Sequence, residues 1–467
     1  MSSQSYIRKN FSLAWPLALN ALLMQSMLMI DTLLVSPLGE IPLAAMGIAT
    51  TVIAFILGIQ MALANGTQLV LSRAVGSGIK QSLSKAFWAG SCINILAASM
   101  FWLLLTLFDK ELILLISDNT ALNQQIADYL VISKYLVIYT AITQVIIALF
   151  NSLGRSKVPF KGYLLELPIN AVLSYFLIHG LQFSSDLSLG GFNLEGSGFD
   201  GFGVEGAALG SVIAITVRLI YLVACVHFDN TVSLRLKANR SEFIRSIRLH
   251  FIEIFPVAAN MTILSIGATV YQLLYSQLNI NAYVAITLVS PWIRAGTQFI
   301  TAWAHSSAIT ISQAIGSKNM DDLVKNVDTS INVAVIISFV IALAFTAFSL
   351  TVDGIYPELD DATYIALAAI APLYIFLPII RGYNTVHGHV LRALGKTTSV
   401  FKINFTGQWV ISIPLCAFIV LGLDGSIFWA FAIQPFEELV KALPFRHLAR
   451  KSLKEFDAKQ AKKLMYE

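Results

Sequence analysis

Long apolar blocks of about twenty residues, separated by short polar stretches, run the whole length of this chain and constrain it more than any single motif does. A helix rising 1.5 Å per residue needs about 20 apolar residues to cross a hydrocarbon core of about 30 Å. In lipid every backbone polar group must find its partner inside the protein, so only helices and closed barrels can span. Barrel strands would show as alternating segments of about ten residues, and the sequence contains none. Composition agrees, with 56% hydrophobic residues, 12% charged residues and a mean hydropathy of +0.72, against roughly a quarter charged in soluble domains.

The pattern predicts twelve spans, at 11–36, 44–70, 86–108, 126–150, 158–178, 204–227, 250–275, 283–306, 328–351, 362–385, 398–421 and 425–445. The first follows Arg8 and Lys9 but is too long for a signal peptide, contains Asp31 and lacks a small-residue cleavage site. Cys92, Cys225 and Cys416 all fall inside spans with no metal-ligand or redox spacing, so no metal and no cofactor is expected. Loops enriched in Lys and Arg stay on the cytoplasmic side. With both termini there, that side collects 26 of the 31 Lys and Arg residues, among them Arg73, Lys80, Lys85, Arg155, Lys157, Arg235, Lys237 and Arg240. The other side receives Lys110 alone and carries Asp109, Glu111, Asp186, Asp200, Asp353 and Asp360. The net charge of +4 is thus mostly a topology signal, and the basic run from Lys441 to Lys463 suits anionic lipid better than nucleic acid.

The two halves repeat. Leu71-Ser72-Arg73-Ala74-Val75-Gly76-Ser77 matches Ile311-Ser312-Gln313-Ala314-Ile315-Gly316-Ser317 at an offset of 240, with four of seven positions identical. Pro16 falls on Pro256 and Asn20 on Asn260 at the same offset, and Leu153-Gly154-Arg155 falls on Leu394-Gly395-Lys396 at 241. Six spans separate equivalent elements, so the halves share one orientation and are related by an axis along the membrane normal, as in transporters whose lobes rock around a central cleft. The expected fold is all-α and polytopic: an N-lobe at 1–227, a cytoplasmic linker at 228–249, a C-lobe at 250–445 and a basic tail at 446–467.

Ionisable residues inside spans are costly in lipid and normally face a cavity or a partner. Asp31 lies in the outer half of the first span, fifteen residues after Pro16, a helix hinge candidate because proline removes a backbone hydrogen bond. Glu166 and Asn170 sit one turn apart on the fifth span, with Asn20, Gln25, Gln60, Asn65 and Ser174 adding polarity to the same lobe. At the repeat offset Asp31 falls on Tyr271, so the first lobe alone is expected to keep a carboxylate site. A carboxylate in such a cleft can exchange a proton and also attract an organic cation, which suffices for antiport. Glu166 has a simpler reading as a partner of Lys161 or Arg155. Lys134 and Arg381 are near enough to helix ends to snorkel, Lys134 with Asp128 also in reach; Arg218 and Arg294 lie deeper and could neutralise carboxylates or line the cleft.

The chain resembles the multidrug and toxic compound extrusion (MATE) family, in its DinF-like bacterial branch. Pro16, the Asp31-Thr32 step with Leu38-Gly39 and Leu43-Ala44-Ala45, Arg73-Ala74-Val75-Gly76, Asn151 to Gly154, the stretch from Gly203 to Leu209 and Gly388 to Gly395 carry the resemblance. It implies a V-shaped pair of six-helix bundles in the bacterial inner membrane, exporting amphipathic, mostly cationic compounds against inward protons or sodium. Asp31 and Asn170 match the acid and the asparagine of the family's N-lobe site. Ser174 stands where that branch usually has an aspartate, and Gly210-Ser211 where Ala-Thr is common, which leaves Glu166 as a displaced substitute. Acids typical of the NorM-like branch are missing from spans seven and ten, where only Glu253 occurs, so protons are favoured over sodium. The expected coupling residues are therefore Asp31, Glu166 and Asn170, and the expected cleft residues Asn20, Gln25, Gln60, Asn65, Ser174, Ser211 and Arg294.

A lipid-linked saccharide flippase of the wider superfamily would share the architecture but needs a strongly cationic cavity, whereas the deepest charge expected here is mainly acidic. No nucleotide-binding loop, HExxH or serine-histidine constellation is present, which argues against an enzyme or an ATP-driven pump. The expected partners are small organic substrates and membrane lipid, with the protein acting as a monomer.

Overall fold

In a computed structural model the described residues are 3–116, 119–180, 200–229, 232, 234–235, 239–318, 320–357, 359–456, 460 and 464. Asp186, Lys237, Lys463 and most of the tail beyond 456 lie outside them. The described residues form no strand and fold into twelve long helices: α1 Ser3–Val35, α2 Glu40–Ser77, α3 Lys80–Leu107, α4 Thr120–Ser152, α5 Lys157–His179, α6 Val204–His227, α7 Arg240–Tyr275, α8 Ile280–Gly316, α9 Met320–Leu350, α10 Asp361–Ala393, α11 Thr397–Gly422 and α12 Ile427–Glu455. Helix α4 is interrupted at Lys134, whose ammonium lies 5.8 Å over the Trp102 ring and not against Asp128. Asp128 instead accepts from Gln124 Nε2 at 2.8 Å.

Every predicted span is a helix, but several run well past their apolar block at the end that carries the basic loops. Helix α7 already starts at Arg240, inside the stretch assigned to the linker, and α12 continues to Glu455, through the first residues of the tail. Nine of the twelve are long and apolar enough to cross a membrane. The three that fall short are α5, α8 and α12, which carry Glu166 and Asn170, Arg294 and His305, and Glu437, Glu438 and Lys441. A polar side chain kept in a spanning helix has a reason to be there, and these three helices carry part of the site.

Helices α1–α6 and α7–α12 make two bundles. Toward the acidic-loop end each has its own core, one around Val35, Met46, Ile126 and Ala207 and the other around Tyr275, Ile286, Tyr374 and Phe431. Toward the basic-loop end the cores mix lobes: Ala14 and Leu69 pack with Trp303, Val386 and Leu453, and Leu71 and Leu149 pack with Ile254 and Ala258. The lobes therefore meet at one end and part at the other, giving a V.

The closed end obeys the repeat. A Cβ on Gly76 would stand 2.0 Å from Gln313 O, and one on Gly316 would stand 1.9 Å from Arg73 O, so only glycine allows α2 and α8 to cross this closely. Across the same crossing Arg73 Nη1 donates to Ala393 O at 3.3 Å and Gln313 Nε2 donates to Ser152 O at 2.7 Å. Arg73 and Gln313, Gly76 and Gly316, and Ser152 and Ala393 are repeat equivalents, so each lobe grips the other in the same way. Arg73 also pairs with Glu253 at 2.5 Å, which accounts for that acid.

Candidate functional site

In the N-lobe, α5 lies tightly on α6 because α6 is notched with glycine. A Cβ on Gly206 would meet Leu177 O at 2.3 Å, and one on Gly210 would meet Ser174 Oγ at 2.4 Å. This close approach sets the register in which Asn170 Nδ2 donates to Ser211 Oγ at 3.0 Å, and Ser211 Oγ donates to Asp31 Oδ2 at 3.2 Å. Asp31 of α1, Ser211 of α6 and Asn170 of α5 thus form one chain of hydrogen bonds, with Ser211, expected in the cleft, as its middle link. Asp31 is buried, takes part in no ion pair among the described residues, and its Oδ1 has no hydrogen-bond partner; the same holds for Asn170 Oδ1 and Ser174 Oγ. Pro16 lies within the continuous helix α1, Ser3–Val35.

Glu166 belongs to a different cluster. Arg218 Nη1 of α6 donates to Glu166 Oε2 at 2.5 Å, both side chains are buried, and the guanidinium stacks 4.2 Å from the centre of the Tyr163 ring. Neither Lys161 nor Arg155 is its partner: Arg155 pairs with Asp229. Of the two roles open to Arg218, neutralising a carboxylate and lining the cleft, it takes the first, and a paired carboxylate is poorly suited to replace the aspartate absent at Ser174.

Between the lobes lies a cavity of about 750 Å³. Asn20, Asn65 and Arg294 line it as expected, while Gln25, Gln60, Ser174 and Ser211 do not. Gln60 is buried within the lobe, donating to Val137 O at 3.0 Å; Ser174 and Ser211 are held in the α5–α6 contact; Gln25 is exposed. Asp31 and Glu166 also lie outside the lining, so the cavity and the Asp31 network are separate places.

Most of the charge in the cavity comes from the C-lobe, against the expectation that only the first lobe keeps a carboxylate site. Glu437 and Glu438 of α12 line it with Arg381 and Lys441. Lys441 Nζ donates to Glu437 Oε1 at 2.9 Å and to Glu438 Oε1 at 3.2 Å, and Arg381 Nε to Glu438 Oε1 at 3.4 Å. Tyr271 OH donates to Glu437 Oε2 at 2.6 Å and Asn384 Nδ2 to Glu438 Oε2 at 2.8 Å. Room for the Lys441 stem comes from Gly407, where a Cβ would meet Lys441 Cγ at 2.7 Å. Nor is the deepest charge mainly acidic: Arg294, Arg381, Arg392 and Lys441 face two glutamates. The signal was present in the sequence, because Glu437 and Glu438 are two carboxylates inside the twelfth predicted span.

The MatE sequence profile matches residues 16–176 and 256–418, two stretches whose starts keep the repeat offset. The chain belongs to the MatE family. Among its MatE-family relatives it is 23% identical over 416 residues to the Uncharacterized transporter YisQ of Bacillus subtilis, covering 87% of this chain and 86% of that one. It is 24% identical over 418 residues to the Probable multidrug resistance protein NorM of Burkholderia mallei, covering 86% and 83%. A crystal structure of the Vibrio cholerae MATE transporter VcmN in its bent form matches with a TM-score of 0.82 at 19% identity, over 98% of this chain and all of the other. That likeness establishes the MATE fold, twelve helices in two bundles. The family match and these relatives make the protein a multi-pass membrane transporter.

Proposed function

We propose that the protein is a secondary antiporter that exports small amphipathic organic compounds across the bacterial inner membrane, driven by protons entering through Asp31. The observation that carries this reading is the state of the Asp31 carboxylate: buried in a spanning helix, bonded on one oxygen by Ser211 and unpartnered on the other. An unpaired charge in that setting is expensive, and a proton arriving from the acidic-loop side removes the expense. Neutralising Asp31 weakens its hold on Ser211 and through it on Asn170, which loosens α1 against α5 and α6. Pro16 then lets the helix change course, and the lobes can exchange which end is closed. The basic-loop end, where both termini sit, is the cytoplasmic side in this reading. The names of relatives such as the NorM protein support organic drugs as cargo, and a cavity presenting both signs of charge suits amphiphiles rather than simple ions.

A second reading replaces the proton by sodium. It is favoured by the same pocket, where Asp31 Oδ1, Asn170 Oδ1 and Ser174 Oγ are three oxygens without a protein partner, the kind of ligand a hard cation takes. Both readings are tested by proteoliposomes loaded with a pH-sensitive dye. Ethidium-driven proton movement in sodium-free buffer, abolished in Asp31→Asn and preserved in form by Glu166→Gln, supports proton exchange at Asp31. A strict requirement for sodium selects the second reading, and flux that persists in Asp31→Asn rejects Asp31 as the coupling group.

A further inference from the structure

The charges of the cavity divide into a saturated group and a free one. In the saturated group all four carboxylate oxygens of Glu437 and Glu438 are engaged, by Lys441, Arg381, Tyr271 and Asn384. Two acids against two bases leave that wall with no net charge to offer. Two lining cations, Arg294 and Arg392, have no ion pair among the described residues; Arg294 is exposed, and Arg392 is the one held half-buried. It lies on α10 eleven residues past Arg381, three turns along the same face and about 16 Å toward the closed end. It lines the cavity half-buried, and no carboxylate or carbonyl partners it among the described residues.

Gln68, Asn151, His305 and His389, its surroundings in the cavity, are neutral and include no acid. Asn151 Nδ2 donates to Gln68 Oε1 at 3.1 Å, so the amide nitrogen of Gln68 is the atom that meets His305 Nε2 at 2.6 Å. His305 Nε2 is therefore an acceptor, and its proton sits on Nδ1, which has no partner among the described residues. The His389 ring lies 6.0 Å from that of His305, with its Nδ1 donating to Thr385 O at 2.9 Å, and both histidines line the cavity with Arg392. The repeat supplies a control. Asn151 is the N-lobe equivalent of Arg392 at offset 241, so the architecture is satisfied at this position by a neutral side chain. A guanidinium retained without a counter-ion in a spanning region is costly, and its planar fork matches a carboxylate, phosphoryl or sulfonyl group in bidentate fashion.

We infer that the cavity takes cargo bearing an anionic group, which Arg392 binds at the closed end with the Nδ1–H of His305 beside it. The cargo is then an anionic or zwitterionic amphiphile, its remainder lying along Tyr163, Tyr271 and Tyr275. This rests on the export reading and narrows it.

The test uses two dyes that differ by one group: rhodamine 110, with a free carboxylate, and rhodamine 123, its methyl ester. Binding to the purified full-length protein is followed by fluorescence polarisation, and transport in proteoliposomes under a pH gradient. The wild type is expected to bind rhodamine 110 about tenfold more tightly, the worth of one charge-assisted pair. Arg392→Gln should bring the ratio to about one without changing rhodamine 123 affinity, and Arg392→Lys, which keeps the charge but not the fork, should retain about a third of the preference. Equal binding of the two dyes by the wild type overturns the inference, as does binding of neither or a preference that survives Arg392→Gln. The wild-type comparison decides even where Arg392→Gln fails to fold. Failure of the export reading looks different: rhodamine 110 bound with Arg392-dependent preference but never moved by the gradient. Gradient-driven transport of both dyes at equal efficiency leaves export standing and removes the anionic subsite.

Discussion

Two buried acidic sites, one in each lobe, have been treated differently by the fold. The C-lobe site on α12 is saturated, with every oxygen of Glu437 and Glu438 bonded and two cations matching two anions. The N-lobe site at Asp31 has one oxygen bonded to a neutral hydroxyl and one left open. Desolvated ions that are fully paired are costly to disturb and contribute little by titrating. A lone carboxylate has only a proton or a cation with which to lower its free energy. The same contrast recurs within the N-lobe, where Glu166 is neutralised by Arg218 while Asp31 is not. In this membrane interior, function follows from what is unpaired rather than from what is charged.

The contrast breaks most visibly in transport. Asp31→Asn should abolish coupled flux with the protein still monodisperse, whereas Glu437→Gln, which leaves Lys441 its bond to Glu438, should keep gradient-driven export; equal loss in both would make the C-lobe cluster a proton relay. In stability the order reverses. Glu166→Gln strands a buried guanidinium and should cost about 3–5 kcal/mol, most of it recovered in the double variant with Arg218→Met. Thermal unfolding in detergent reads this cycle, and additive losses would mean that the pair is not coupled. Next in size is Gly316→Ala, which puts a Cβ 1.9 Å from Arg73 O at the closed end. Overpacking of this kind costs about 1–3 kcal/mol, paid by a shift toward separation of α2 and α8. Spin labels at Lys80 and Ser317, in a variant lacking the three native cysteines, should report longer distances than in the unsubstituted parent. An unchanged distribution would mean that the crossing does not hold this end shut.

Much of this was legible in the sequence. Twelve helices follow from apolar length alone, and the 240-residue offset located both lobes and, unrecognised at that level, the crossing of Gly76 and Gly316. Asp31 and Asn170 were grouped through the family resemblance, whereas Ser211, expected in the cleft, is the hydroxyl that links them. Glu166 could not be assigned to Arg218, since the pairing depends on how far α5 slides along α6, which Gly206 and Gly210 decide by steric fit. Arg392 fell among the basic loops because its helix outruns its apolar block, α10 reaching Ala393, while Lys441, inside the twelfth predicted span, was grouped with the basic run that follows it; both face the cavity. Glu437, Glu438 and Lys441 have the spacing of ordinary surface pairs one turn apart, and only the helix they occupy makes them a buried cluster.

The smallest effect tests the saturated site itself. Tyr271 OH donates to Glu437 Oε2 at 2.6 Å, while Tyr275, one turn on, accepts at its hydroxyl from Gln434 Nε2 at 3.2 Å. Tyr271→Phe removes a donor from an ion that still holds Lys441, and Tyr275→Phe removes an acceptor from a neutral amide. Interhelical hydrogen bonds between membrane helices average about 0.6 kcal/mol and reach about 1.7, so Tyr271→Phe should fall near the top of that range and Tyr275→Phe near the average. Both should leave Asp31-dependent flux intact. If Tyr271→Phe proves silent in thermal unfolding, Lys441 and Arg381 satisfy the cluster without it, and the tyrosine hydroxyl is free to serve the cargo instead. If it stops transport while stability holds, the C-lobe wall takes part in the coupling, and the division of labour between the lobes is not the one their pairing implies.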